Sequence, residues 1–100
     1  MLSAKKRKTI ISINGKIIPP EKANVSVFDR SFLYGDSLYE VVRTYQGKPF
    51  RLKEHLLRME KSAALCQMKF SQSTKVYEHE MLRCIAAYRA QPGKKNEDVY

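Results

Sequence analysis

The sequence has few of the residues and segments that mark several protein classes. It contains 2 cysteines, 4 glycines, 4 prolines and no tryptophan in 100 residues. Two cysteines without a CxxC pair are too few for a disulfide framework, which predicts reduced thiols in a cytoplasmic protein. The apolar runs are only a few residues long, so we expect no transmembrane span and no membrane partner. The first ten residues carry charge but lack the apolar stretch of a signal peptide.

Standard catalytic and metal motifs are also missing from the sequence. There is no P-loop, GxGxxG, GxSxG or HExxH pattern. His55 and His79 fall on separate predicted helices, so no metal site is predicted. Cys66 and Cys84 fall on apolar helical stripes and are interpreted as core residues rather than nucleophiles. We assign no catalytic residue to this chain.

Positive charge dominates, and much of it is close to the N-terminus. The net charge is +9, and residues 1–20 hold five basic residues and no acidic one. We interpret residues 1–8, which contain the cluster Lys5–Lys8, as a basic solvated tail. The alternative is a small nucleic-acid-binding module that uses this cluster and the first hairpin. The basic residues do not follow one face with interleaved aromatics, so we expect no nucleic-acid partner.

Two turn signals predict antiparallel strands. Asn14-Gly15 separates the β-branched residues 9–13 from residues 16–19, and such a dipeptide accepts the positive φ angles of a tight hairpin. Residues 37–45 are predicted to form a strand that turns at Gln46-Gly47. Alternation in this strand places Tyr39, Val41, Arg43 and Tyr45 on one face and Leu38, Glu40, Val42 and Thr44 on the other. Both faces are mixed, so we expect the strand to be covered on both sides.

After residue 51 the apolar period becomes helical. One stripe comprises Leu52, Leu56, Met59, Ala63 and Cys66. A second helix is predicted over residues 74–89, with Ser73 or Thr74 as the N-cap. Its predicted buried face comprises Tyr77, Met81, Cys84, Ile85 and Tyr88. Residues 99–100 are interpreted as the start of another strand, which predicts an incomplete α+β domain over residues 9–100 with a small antiparallel sheet and two helices packed to one side.

A set of motifs over residues 25–62, at consistent spacing, carries a family resemblance. The motifs are Asp29-Arg30, Tyr34-Gly35-Asp36, Tyr39-Glu40-Val41, Arg43, Gly47, Glu54-His55 and Arg58. Together they resemble the N-terminal signature of the class IV aminotransferases, the pyridoxal-phosphate enzymes of fold type IV. That family includes branched-chain and D-amino acid aminotransferases and aminodeoxychorismate lyase.

The resemblance implies roles for individual residues. Arg58 matches the arginine that binds the phosphate of pyridoxal 5'-phosphate, and a guanidinium suits that task because its planar fork fits phosphate oxygens. His55, one helical turn earlier, resembles a group that steadies the same phosphate site. Tyr34, Tyr39 and Arg43 match positions that line the substrate pocket.

Three other charged residues are interpreted as structural. Arg30 and Asp36 are expected to fix a tight turn through hydrogen bonds to the backbone. Glu40 is expected to pair with an arginine rather than to act as an acid or base.

For the whole protein, the resemblance implies amino-group transfer between a branched-chain or D-amino acid and a 2-oxo acid. The family's Schiff-base lysine lies in a large domain that this chain does not contain, so the chain alone is not expected to be active. A homodimer or higher oligomer is expected once the protein is complete. The alternative reaction within the same fold is that of aminodeoxychorismate lyase.

Overall fold

The computed structural model describes residues 9–100, which fold into an α+β arrangement of two β-hairpins and three helices. The predicted basic tail, residues 1–8, lies outside the described residues. The elements are β1 (Ile11–Ile13), β2 (Lys16–Ile18), a 3-10 turn (Pro20–Lys22), α1 (Arg30–Tyr34), β3 (Thr44–Tyr45), β4 (Lys48–Pro49), α2 (Leu52–Leu65) and α3 (Thr74–Arg89).

Both predicted hairpins are present. β1 and β2 pair antiparallel, and Ile11 lies opposite Ile18. Asn14 and Gly15 have φ angles of 53° and 81°, the left-handed values that this turn requires. The turn between β3 and β4 repeats this geometry. The two hairpins form separate two-stranded sheets, so the single sheet predicted from the sequence is not formed among the described residues.

The predicted strand over residues 37–45 is only partly formed. Thr44 and Tyr45 pair with β4, but no strand among residues 9–100 pairs with residues 37–42. A strand is defined by ladder hydrogen bonds to a neighbour, and alternating side chains cannot supply that neighbour. The alternation itself is present, since Tyr39 is 85% exposed whereas Thr44 is 1% exposed. Coverage of both faces, as expected from the sequence, does not occur in the described part of the chain.

The two long helices have the predicted positions and pack against each other. α2 begins after Arg51, and α3 begins at the N-cap Ser73, whose side chain accepts a hydrogen bond from the Val76 amide. The buried hydrophobic side chains are Leu52, Leu56 and Ala63, all from the predicted stripe of α2. Cys66 is exposed, so its interpretation as a core residue is wrong. Cys66 follows the last residue of α2, so it lies beyond the helix whose apolar stripe predicted its burial.

The predicted buried face of α3 is only half-buried. Its five residues line an open groove of about 1060 Å³ between α3, the first hairpin and residues 98–100. The hairpin is attached to α3 by two hydrogen bonds: the Ser12 hydroxyl donates to Glu80 at 2.6 Å, and Arg83 donates to the Gly15 carbonyl at 2.8 Å. The predicted burial of this face is therefore only partial, because no element among the described residues fills the groove.

Residues 98–100 lie beside the start of β3. Thr44 and Val99 exchange two hydrogen bonds, one from the Thr44 amide to the Val99 carbonyl (2.8 Å) and one from the Val99 amide to Thr44 Oγ1 (2.9 Å). The predicted strand start at residues 99–100 therefore has a backbone neighbour, although it forms no regular strand.

Within residues 9–100, no helix is long and apolar enough to cross a membrane. The same residues contain no group of three or more His, Cys, Asp or Glu side chains placed to hold a metal ion.

Candidate functional site

Arg58, His55 and Glu40 form one hydrogen-bonded cluster. Arg58 Nη2 donates to Glu40 Oε1 at 2.6 Å, and Arg58 Nε donates to Oε2 at 3.1 Å. His55 Nδ1 lies 2.6 Å from the same Oε1. His55 and Arg58 come from successive turns of α2, whereas Glu40 comes from the extended segment before β3. The cluster therefore joins these two segments.

Sequence periodicity accounts for both sides of the cluster. Residues three apart on a helix share a face, which brings His55 and Arg58 together on α2. Alternation turns the Glu40 side chain inward, and it is 18% exposed, compared with 24% for His55 and 65% for Arg58. Glu40 is thus the innermost group, and Arg58 faces solvent above it. The expectation that Glu40 pairs with an arginine is borne out by this contact.

The electrostatics of the cluster favour the ionised forms of the carboxylate and the guanidinium. Hydrogen bonds from Arg58, and then from His55, lower the pKa of Glu40. The carboxylate in turn raises the pKa of Arg58. The outer Nη1 of Arg58 makes no hydrogen bond within the described residues. An exposed, charged N–H group of a guanidinium is a donor that suits an oxyanion such as a phosphate.

Arg43 lies between two tyrosines. Its guanidinium carbon is 4.1 Å from the ring centroid of Tyr45 and 5.6 Å from that of Tyr100. Its Nε donates to the Thr44 carbonyl at 3.1 Å, and its Nη2 lies 3.8 Å from Asp98. These contacts hold Arg43 against its own hairpin and the end of the described chain.

The two other predicted substrate residues are exposed. Tyr34 ends α1 and lies under the Arg30 guanidinium, 5.2 Å from the ring centroid, while Tyr39 is 85% exposed. Among the described residues, the structure brings Arg58 and His55 together but shows no contact that joins Tyr34, Tyr39 and Arg43. The exposed tyrosines form an open surface rather than a closed pocket.

Arg30 and Asp36 span the tight turn near α1, but they do so through a side-chain ion pair rather than through the expected hydrogen bonds to the backbone. Arg30 Nη2 and Asp36 Oδ2 form an ion pair at 2.9 Å across the turn. Asp29 caps α1 by accepting a hydrogen bond from the Ser31 amide, and Gly35 ends the helix at a φ of 70°. This turn precedes the segment that carries Tyr39 and Glu40.

Sequence reasoning missed Asp98, which stabilises the segment next to the cluster. Its Oδ1 accepts hydrogen bonds from the Thr44 hydroxyl (2.8 Å) and the Gly47 amide (3.1 Å). These bonds, first from Gly47 and then from Thr44, lower the pKa of Asp98. No sequence signal marks Asp98, because its partners are about fifty residues away in the chain.

Comparison with known proteins identifies the family. Residues 37–96 match the family model "Amino-transferase class IV". This match covers more than half of the chain, so the chain belongs to the class IV aminotransferase family. The resemblance stated from the sequence motifs is thereby confirmed.

Several curated relatives match over little more than half of the chain. A protein of Methanocaldococcus jannaschii with the provisional name branched-chain-amino-acid aminotransferase is 49% identical over 57 residues, which are 56% of this chain and 20% of that protein. D-alanine aminotransferase of Staphylococcus epidermidis is 46% identical over 55 residues, 55% of this chain and 20% of that protein. The D-alanine aminotransferase of Staphylococcus haemolyticus is 42% identical over 60 residues, 60% of this chain and 21% of that protein. The chain therefore spans about a fifth of the length of these relatives.

Proposed function

We propose that this chain is the N-terminal small-domain part of a pyridoxal-phosphate-dependent aminotransferase. Family membership supports the reaction class, and the names of the curated relatives support amino-group transfer. The proposed substrates are an amino acid and a 2-oxo acid. The proposed setting is a cytoplasmic homodimer or higher oligomer that includes a large domain. That domain supplies the lysine to which the cofactor is bound.

In this proposal Arg58 binds the cofactor phosphate, and His55 steadies the same site through its contact with Glu40. The observation that supports it best is the exposed Nη1 of a guanidinium whose other edge is bonded to Glu40. When bound, pyridoxal phosphate supplies the electron sink for amino-group transfer, and the protein supplies binding and orientation. Arg58 contributes a permanent positive charge to that binding, since it stays protonated at any physiological pH.

Tyr34, Tyr39 and Arg43 are proposed to face the substrate. The exposure of Tyr34 and Tyr39 leaves both rings available to another surface, and two aromatic groups with one guanidinium suit an apolar or carboxylate-bearing substrate. Arg43 is already held by Tyr45, Tyr100 and Asp98, so its contribution in this proposal is a fixed charge.

The relatives' names support both a branched-chain and a D-amino acid substrate, and we propose one of these two classes. Transamination assays with leucine and with D-alanine, on the full-length protein, separate them. Activity with aminodeoxychorismate alone would instead indicate the lyase reaction of the same fold, which no curated relative named above supports.

The phosphate site is tested by binding rather than by turnover. The probe is pyridoxine 5'-phosphate, which lacks the aldehyde of pyridoxal phosphate and so does not react with surface lysines. Arg58→Gln is expected to weaken its binding to the full chain about tenfold or more, because a charge-assisted hydrogen bond is worth roughly 1.5–3 kcal/mol. Lys61→Gln is the matched control, since it removes one positive charge from an exposed position of the same helix. Equal effects of the two variants would contradict a specific role of Arg58.

A further inference from the structure

We infer that Glu40 is a positioning residue, which turns the free edge of Arg58 toward the cofactor phosphate and fixes the proton of His55 on Nδ1. This inference rests on the proposed function, since it concerns how the same site is held ready. Glu40 itself touches neither cofactor nor substrate in this scheme. It acts through the two side chains that it bonds.

The first step of the argument concerns Arg58. A guanidinium on an exposed helix position has several rotatable bonds, and holding it still costs binding free energy. Glu40 bonds both Nε and Nη2, so one planar edge of the guanidinium is fixed against the carboxylate. The remaining edge, with Nη1, must then point away from Glu40. Because Glu40 is 18% exposed and Arg58 is 65% exposed, that edge faces solvent.

The second step concerns His55. Its Nδ1 lies 2.6 Å from Glu40 Oε1, and an ionised carboxylate can only accept a hydrogen bond. The donor Nη2 of Arg58 is farther from Nδ1, at 3.3 Å, and is bonded to the same Oε1 at 2.6 Å, so the carboxylate is the nearer partner of Nδ1. Two acceptors would repel each other at this distance, so Nδ1 carries a hydrogen. In neutral His55 the lone pair then lies on Nε2. Carboxylates fix histidine tautomers in this way in many sites.

The third step separates positioning from simple charge compensation. If Glu40 only offset the charge of Arg58, its removal would leave more positive charge and strengthen the binding of an anion. If Glu40 positions Arg58, its removal weakens the same binding, because the guanidinium must then lose its mobility when the anion binds. The two roles thus predict changes of opposite sign in the anion affinity of the Glu40→Gln variant.

The first experiment needs no substitution. In the full chain labelled with 15N-histidine, long-range 1H–15N correlation spectra at a pH where histidine is neutral report which ring nitrogen carries the hydrogen. His55 is expected to be protonated at Nδ1. His79, which is exposed and forms no hydrogen bond or ion pair within the described residues, is the internal reference and is expected to favour Nε2–H, as free histidine does. An Nε2–H form at His55 in the wild-type chain would overturn the inference.

Substitutions at Glu40 extend the test. Glu40→Ala is expected to return His55 to the tautomer of His79. Glu40→Gln keeps one acceptor oxygen but loses the charge, so it is expected to do so in part. Glu40→Asp keeps the charge on a side chain one methylene shorter, so it cannot reach Arg58 and His55 as Glu40 does, and it is also expected to lose the Nδ1–H preference. Glu60→Gln removes a negative charge from an exposed position of α2 and is expected to leave His55 unchanged.

Binding of pyridoxine 5'-phosphate to the same variants gives the second readout. Glu40→Gln and Glu40→Asp are expected to bind roughly 2- to 10-fold more weakly than wild type, the cost of ordering one long side chain. Unchanged or tighter binding by Glu40→Gln, in a chain whose amide spectrum shows that it is folded, would overturn the inference. If Arg58→Gln has no effect while His55 keeps its Glu40-dependent tautomer, the proposed phosphate site fails and the fixing of His55 by Glu40 stands. If Arg58→Gln weakens binding while His55 is Nε2–H, the phosphate site stands and the inference fails.

Discussion

Gly47 lies directly against the guanidinium of Arg89. A Cβ at this position would overlap with Nη1 and Cζ of that side chain. Arg89 reaches across the turn between β3 and β4, and its Nε donates to the Lys95 carbonyl at 2.7 Å. The C-terminal end of α3 is thereby bonded to the loop that follows it, and its Arg89 side chain packs against the second hairpin. Glycine accepts the φ angle of 81° here and also leaves room for the guanidinium as it is placed.

This relationship predicts that Gly47→Ala is more destabilising than Gly15→Ala. Both glycines have a φ of 81° in equivalent hairpin turns, but a Cβ at Gly15 would meet nothing within 4 Å. Gly15→Ala is expected to cost about 1 kcal/mol, for left-handed backbone alone. Gly47→Ala is expected to cost about 1 kcal/mol more, because Arg89 must move and lose its hydrogen bond to Lys95. Urea unfolding of both variants measures the difference, and equal losses would show that Arg89 adapts without cost.

Asp98 predicts how stability depends on pH. Its pKa is lowered in the folded chain by hydrogen bonds from Gly47 and Thr44, so its contribution is complete above the ordinary value of 3.8 and is lost as the pH falls through the lowered value. Asp98→Ala is therefore expected to lower the urea midpoint at about pH 7 and to make the loss of stability in acid shallower. Urea titrations at a series of pH values check both effects. An unchanged acid profile would mean that the unfolded and folded pKa values of Asp98 are alike.

Much of the fold could be predicted because its signals are local. Asn14-Gly15 and Gln46-Gly47 specify their turns through the φ angles that those residues accept, and both hairpins form there. Ser73 precedes an apolar helical period and caps α3 as expected. Such features depend on residues within a few positions of one another, so one sequence contains all the information that they need.

The remaining features depend on partners distant in the chain. The segment over residues 37–42 has the alternation of a strand but no strand beside it within residues 9–100. At the site, the proposed roles of Arg58 and His55 rest on the family motif. Their common bond to Glu40 joins residues 15 and 18 positions apart. The charge of Glu40 on a mixed strand face indicates that this residue needs a partner, but the sequence does not show which residue is that partner.

The N-cap of α3 is expected to contribute measurably to stability. Ser73 Oγ accepts a hydrogen bond from the Val76 amide, one of the four N–H groups that a helix start leaves without an internal partner. Ser73→Ala is expected to cost about 1 kcal/mol. Gln72→Ala, one residue earlier and exposed, is the control and is expected to have little effect. Thermal unfolding followed by circular dichroism at 222 nm compares them, and similar midpoints for the two variants would contradict a capping role.

Leu56 and Leu57 test where the hydrophobic core lies. They are neighbours on α2, but Leu56 is 5% exposed and Leu57 is 51% exposed. Leu56→Ala removes a buried side chain from a core with few members and is expected to cost about 2–5 kcal/mol. Leu57→Ala has the same helix propensity change and is expected to shift stability by less than about 1 kcal/mol, because most of its surface is already in water. Both variants are compared by chemical unfolding at one pH. A loss at Leu57 as large as that at Leu56 would mean that the exposed face of α2 is covered in solution, by a second copy of the chain or by another partner.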